Sequence, residues 1–161
     1  MKKIMDYMER GIRAVVTCIL LAFILLVAAQ VFFRYVLSSP LPWTEQAARY
    51  LFVWSIMLEM PVLFRRNANI AFDLVQKRLP VKAKKAIDII GSLLIGAFAA
   101  IYFQAGLDLC IRSGAKLAVG LEIPIVLVYA AQPVGAALLF IVVVERIIDE
   151  VHQLISKEEV A

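Results

Sequence analysis

The sequence predicts an all-α integral membrane fold: four transmembrane helices, an interfacial amphipathic helix between spans 2 and 3, and both termini in the cytoplasm. Three observations predict it. The 161 residues are 63% hydrophobic with a mean hydropathy of +0.86, whereas soluble domains of this size are about half apolar. A body so small is mostly surface and cannot bury the excess, so lipid must cover part of it. Four runs reach the ~20 apolar residues that a bilayer-crossing helix needs. The basic residues collect at alternate ends of those runs, as the positive-inside bias requires.

Span 1 covers about 14–36, and Ala14 to Phe33 carries no charge. Lys2, Lys3 and the Val27-Ala28-Ala29 triplet resemble a signal peptide. The apolar run outlasts the roughly 7–15 residues of a signal core, so the span reads as a retained helix. The preceding KKIMDYMERGIR, with Ile4, Met5, Met8 and Ile12, reads as a short interfacial piece leading into it. Span 2 covers about 44–64 and is apolar from Ala47 onward except for Arg49 and Glu59. In the following connection Ile70, Leu74, Val75 and Leu79 recur near helical spacing with Gln76, Lys77 and Arg78 between them. This is an amphipathic helix over about 69–79 lying in the interface. Pro80 ends it and suits the start of the next helix. Span 3 covers about 86–108 and span 4 about 123–146, the latter holding Pro124 and Pro133. Little chain is left over, so residues 1–161 form a single four-span domain without linker or low-complexity segment.

Lys2, Lys3, Arg10 and Arg13 precede span 1, and Arg65, Arg66, Lys77, Arg78, Lys82, Lys84 and Lys85 lie between spans 2 and 3. The latter set is placed to fix topology and meet lipid headgroups. The turn RYVLSSPLPW and the Asp108–Glu122 loop then face outward. The net charge of +4 follows from this bias and does not argue for nucleic acid, because no soluble basic domain exists. Cys18 and Cys110 fall near opposite ends of the spans, too far apart for a disulfide, which needs Cα atoms within about 7 Å. Two cysteines and one histidine, His152 in the tail, cannot make a four-ligand zinc site or a haem-ligating pair. No phosphate loop, HExxH or nucleophile elbow appears. Neither a cofactor nor an enzyme activity is expected.

Polar residues within the spans are the candidate site residues. On a helix of ~100° per residue, Glu45, Arg49, Phe52, Ile56 and Glu59 share one sector of span 2, and Trp43, Tyr50 and Trp54 lie nearly opposite. Glu45 and Arg49 are an i, i+4 pair in the favourable order, and Arg34 lies within turn-length reach. The cluster Arg34, Trp43, Glu45 and Arg49 reads as a structural tie at the outer corner of spans 1 and 2. Glu59 sits inside span 2, two residues before Pro61, with no base facing it from the spans. Two readings stay open for it: an ion pair with Arg65 or Arg66 snorkelling back, or a proton or cation site. Ser92, Gly96 and Ala100 form a small-residue ridge in span 3, and Ala131 and Gly135 a similar pair in span 4. Such ridges let helices approach closely. Gln30, Gln104 and Gln132 are candidates for interhelical hydrogen bonds.

No internal repeat, broken helix or midplane polar site of the kind a self-contained transporter carries is visible. The chain therefore reads as an accessory subunit. Its residues resemble those of the small membrane subunit of tripartite ATP-independent periplasmic (TRAP) transporters. The matching stretches are Arg34-Tyr35-Val36, Leu41-Pro42-Trp43-Thr44-Glu45, Arg49-Tyr50, Trp54, Arg65-Arg66, Asn69-Ile70 with Asp73, Leu79-Pro80, Ile123-Pro124 and Pro133-Val134-Gly135. Asn69 stands where that family often has histidine, and Glu59 where it usually has a small residue. The resemblance implies a multi-pass bacterial inner-membrane protein in a sodium-coupled system that imports organic acids, sialic acid or C4-dicarboxylates among them. It implies a stable large multi-span permease partner that carries the substrate, and a transient periplasmic binding protein. The small subunit would brace the first and help dock the second. Two other classes remain: a stand-alone four-span proton-coupled exporter, which would want a carboxylate in span 1, and a membrane assembly protein outside transport.

Overall fold

The computed structural model describes residues 2–39, 41–66, 81–114, 116–118 and 120–158. The amphipathic segment over 69–79, with Lys77 and Arg78, lies outside them, as do the side chains of Lys82, Lys84, Lys85 and His152. The helices are α1 (Lys2–Tyr35), α2 (Pro42–Arg65), α3 (Val81–Ser113), the short α4 (Val126–Tyr129) and α5 (Ala131–Glu158). Four stretches are long and apolar enough to cross a membrane: Met5–Tyr35, Pro42–Arg65, Ile87–Ser113 and Val126–Glu150.

The amino-terminal segment departs from expectation. It is the first turns of α1 itself, not a separate interfacial piece, and Met5 enters the core beside Phe64, Leu139, Val142 and Val143. A continuous helix wins because Met5 and Met8 have an apolar surface to cover at the end of α2 and α5. α1 stops where Ser38 takes a left-handed conformation (φ 49°) and the Ser39 amide donates to the Phe33 carbonyl at 3.1 Å. Leu41 is extended, as a residue before proline must be, and Pro42 opens α2 at a position where its missing N–H costs nothing. The Thr44 hydroxyl closes that first turn by donating to the Leu41 carbonyl at 2.6 Å.

The helices form a row. α1 packs on α2, α2 on α5, and α5 on α3. α1 and α2 run antiparallel, with the Phe23 and Phe52 rings 5.8 Å apart. α2 and α5 run in the same direction and meet closely where Pro61 interrupts α2. Proline has no amide to offer the carbonyl four residues back, here that of Met57. Gly135 of α5 faces that freed carbonyl, and a Cβ on it would lie 2.6 Å from the Met57 oxygen. Met57 also accepts a hydrogen bond at its sulfur from Tyr102 of α3, at 3.9 Å. On the other side of α5, Gly96 lies against Val143 and Gly106 against Pro133.

The small-residue ridges thus occupy the α2/α5 and α3/α5 seams. Ser92, Gly96, Ala131 and Gly135 are buried, but Ala100 is exposed and Ala99 takes the inward place. A straight helix drifts away from a strict i+4 row, so the contact row steps from i+4 to i+3. Gln104 is exposed, and Gln132 lays its aliphatic stem against Gly106. A hydrogen bond from α2 to the fourth span comes instead from Trp54, whose indole N–H donates to the Leu127 carbonyl at 3.1 Å.

Glycine replacements separate these roles. Alanine in a helix is favoured over glycine by about 1 kcal/mol. At Gly91, where an added methyl meets nothing within 4 Å, Gly91→Ala should raise the unfolding temperature of the detergent-solubilised chain. At Gly135 the same methyl meets a backbone oxygen that cannot move aside, and overpacking of about 1–3 kcal/mol outweighs the propensity gain. Gly135→Ala should lower the unfolding temperature, and Gly135→Val should lower it further.

Candidate functional site

The densest polar constellation lies where α1 and α3 begin and α2 runs out, here called the terminal end. Arg65 closes α2 there. Its guanidinium donates to Glu9 at 2.6 Å, to Asp6 at 2.7 Å and to Glu145 of α5 at 3.2 Å. Arg66 donates to the other oxygen of Glu9 at 2.7 Å. On the far side of α5, Arg146 pairs with Glu150 at 2.8 Å, approaches Asp88 of α3 at 3.9 Å and lies over the Phe64 ring. One network therefore ties all four long helices together. Local sequence explains the placement. Asp6 and Glu9 are three apart and share a face of α1, and Arg65 lies at the antiparallel level of Glu9.

The energetics of this network differ from those of a surface pair. The side chains of Arg65, Glu9 and Glu145 are 18%, 13% and 10% exposed, so removing one partner strands a charge in a poorly solvated place. The groups surround a cavity of about 530 Å3 whose lining is carboxylate and guanidinium apart from Val142. Among the described residues its lining contains no thiol, imidazole or hydroxyl nucleophile. Among the described residues, no three His, Cys, Asp or Glu side chains converge to hold a metal ion. The arrangement is suited to holding helices in register, not to bond-making chemistry.

The structure also places the residues singled out in the sequence. Arg65 and Arg66, read as headgroup and topology residues, are engaged in the terminal network. Neither pairs with Glu59, which is half-buried higher in α2. At the opposite end Glu45 and Arg49 pair at 3.4 Å, both more than half exposed. Arg34 is exposed and makes no ion pair among the described residues, so the expected Arg34–Glu45–Arg49 cluster is a two-residue pair. The reason is local. Arg34 ends α1, where water and the helix-terminal carbonyls already favour a cation, and Glu45 meets its own-helix Arg49 first. Trp43 is 43% exposed beside the loop between α3 and α4. That loop is pinned by paired hydrogen bonds, Ala118 N–H to Ile123 O at 2.8 Å and Ile125 N–H to Lys116 O at 2.9 Å. Gly120, at φ 86°, approaches the Trp43 backbone and Gln46. Cys18 and Cys110 are free thiols.

Sequence reasoning missed Asp6, Glu9, Asp88, Glu145 and Glu150. The signal was present: acids at helix ends where only bases were expected, and an Asp-x-x-Glu spacing on one face.

Residues 23–153 match the sequence profile of the DctQ component of tripartite ATP-independent periplasmic transporters. The chain belongs to that family. As a DctQ-family protein it is a transporter component, not an enzyme. It is 26% identical over 141 residues to the isethionate TRAP transporter permease protein DctMQ of Oleidesulfovibrio alaskensis, a match covering 83% of this chain and 22% of that protein. It is 34% identical over 67 residues to the sialic acid TRAP transporter permease protein SiaT of Haemophilus influenzae, covering 42% of this chain and 11% of that protein. The chain thus spans about a fifth or less of the length of the curated relatives it matches.

The two ends of this DctQ-family chain should respond differently to charge removal. Arg65→Gln should destabilise the solubilised protein by about 3 kcal/mol or more, the cost of stranding buried carboxylates. Glu45→Gln should change stability by less than about 0.5 kcal/mol, as for an exposed i, i+4 pair. Thermal unfolding of both variants checks the contrast. A double-mutant cycle between Arg65 and Glu145 should give a coupling of about 0.5–3 kcal/mol.

Proposed function

We propose that this chain is the small membrane subunit of a binding-protein-dependent, sodium-coupled importer of organic acids in the bacterial inner membrane. In this reading it does not carry substrate. It braces a large multi-span permease subunit, widening the static part of that subunit against which a moving part works. The observation that carries the reading is the row of helices. Four helices laid side by side leave the apolar outer faces of α1 and α3 uncovered among the described residues. Within the span of α1, 6% of the residues are buried, against 44% for the fourth span. A body of this shape gains most from a large apolar partner. The relatives support the same reading, because the stretch similar to this chain is a minor part of much longer permease proteins. The names of those proteins, isethionate and sialic acid permeases, support an organic anion as cargo.

The positive-inside bias supports a cytoplasmic terminal end. The turn at 36–41 and the loop at 114–125 then face the periplasm. A Cβ on Gly120 would lie 3.8 Å from Trp43 and Gln46, so the loop borders the start of α2, and this end presents a surface carrying the exposed Arg34, Arg49, Arg112 and Lys116. This surface is the proposed landing place for the periplasmic binding protein.

Mild-detergent purification of the tagged chain from its native membranes, with mass spectrometry of the accompanying proteins, tests the reading. A single large multi-span protein in equal amount is the expected result. Recovery of the chain alone, with organic-acid uptake unchanged in its absence, would refute it. For the outward surface, Arg34→Glu combined with Lys116→Glu should leave recovery of the large subunit unchanged. The same double variant should raise the binding-protein concentration needed for half-maximal uptake into proteoliposomes by about tenfold, as for loss of electrostatic steering.

A further inference from the structure

Glu59 has no hydrogen-bond or ion-pair partner among the described residues, and its surroundings explain why. The antiparallel register of α1 and α2, fixed by Phe23 beside Phe52 and by Glu9 beside Arg65, puts Glu59 level with Val16, inside the membrane-crossing part of both helices. It lines a groove of about 540 Å3 between α1 and α2, together with Arg13, Thr17, Leu20, Phe52 and Ile56. The hydroxyl donors in that groove are directed elsewhere. Thr17 donates to the Arg13 carbonyl at 2.8 Å and Ser55 to the Leu51 carbonyl at 2.9 Å. Arg13 makes no ion pair with Glu59 because side chains lean toward the amino-terminal end of their own helix. In antiparallel helices that tilt carries Arg13 out toward the terminal end and Glu59 inward, away from it.

A carboxylate at this depth is strongly disfavoured against hydrocarbon, which offers no hydrogen-bond donor. The pattern around it is that of a helix seam. Phe52, Ile56, Glu59 and Leu63 recur at spacings of four, three and four, the repeat that lays one helix along another. Phe52, Ile56 and Leu63 are 48%, 45% and 49% exposed, so this side of the seam is formed and, among the described residues, nothing fills its other side. A single polar residue in such a seam selects partner and register.

We infer that the α1/α2 groove seats a transmembrane helix of the large permease subunit, which presents a cationic or hydrogen-bond-donating side chain to Glu59. The inference rests on the small-subunit reading above and names the face by which that subunit is held. An acyl chain fits the groove's apolar wall but leaves the carboxylate unsatisfied. A second copy of the chain, docked about a two-fold axis, would bring two Glu59 carboxylates together.

The test uses the intact complex. A photo-crosslinking amino acid at Ile56 or at Leu63 should give an adduct with the large subunit, identified by mass spectrometry. Glu59→Lys should lower the large subunit recovered per membrane-inserted copy of this chain by at least about tenfold, the change that ~1.4 kcal/mol makes. Glu59→Gln, which keeps an acceptor, should lower it less. The crosslinks are made with Glu59 intact, so a poorly inserted variant does not decide the matter. An adduct with phospholipid or with a second copy, or undiminished recovery with Glu59→Lys, overturns the inference while leaving the small-subunit reading in place. Failure of the unaltered chain to recover any large subunit removes that reading and the inference with it.

Discussion

The Arg65 guanidinium sits where a helix leaves hydrocarbon, and it must find acceptors there. A lone arginine at that depth would be costly or would snorkel to water. Here three carboxylates from two other helices meet it. That requirement sets the vertical position of α1 against α2 and of α2 against α5. With Glu9 level with Arg65, the antiparallel register brings Phe23 beside Phe52. With Glu145 beside Arg65, the parallel register brings Gly135 to the Met57 carbonyl. A shift of one residue would rotate each helix by ~100° and would turn Gly135 away from the one carbonyl that Pro61 has left without an amide.

The seams between these levels are made without charge. Lipid tails are as apolar as leucine, so burial gives no drive for helices to pair and close packing must supply it. Gly96, Gly106 and Gly135 allow that approach at three heights along α5. Trp54 adds a directional bond to Leu127 where the chain enters the fourth span through the short α4. α5 is thereby the keel of the row, touching α2 on one side and α3 on the other. α1 is held through α2, by the Phe23–Phe52 ring contact and by Asp6 and Glu9 at its foot.

Much of this was legible in the sequence. Apolar length alone marked the four spans, because the bilayer imposes a minimum that few soluble segments meet. Small residues at i+4 spacing marked Gly96 and Gly135 as contact points. What escaped was pairing at a distance. Asp6, Glu9 and Glu145 are far from Arg65 along the chain, and nothing local says which ends meet. The basic residues were read against the headgroups because topology rules count lysine and arginine and largely ignore acids. At the other end Arg34, Glu45 and Arg49 looked like a cluster because they are near in sequence. Solvent makes such proximity cheap to leave unused, and exposed arginines do not need to converge. The ridge through Ala100 failed for a geometric reason, since 3.6 residues per turn carries a strict i+4 row off the contact line.

The distribution of charge with depth bears on what a four-helix row can do. At the terminal end the Arg65, Arg66 and Arg146 guanidiniums face carboxylates around one cavity. At the opposite end the charges are few and solvated. Between them lies Glu59, a carboxylate inside a span with the hydroxyls beside it bonded to backbone carbonyls. A self-contained carrier would place such a group at a central path lined by several helices. Here it stands on the side of the row, in a seam whose apolar residues are exposed. A charge at the flank of a thin body cannot be satisfied by that body. On the small-subunit reading, the same neighbouring helix would satisfy it and cover α1.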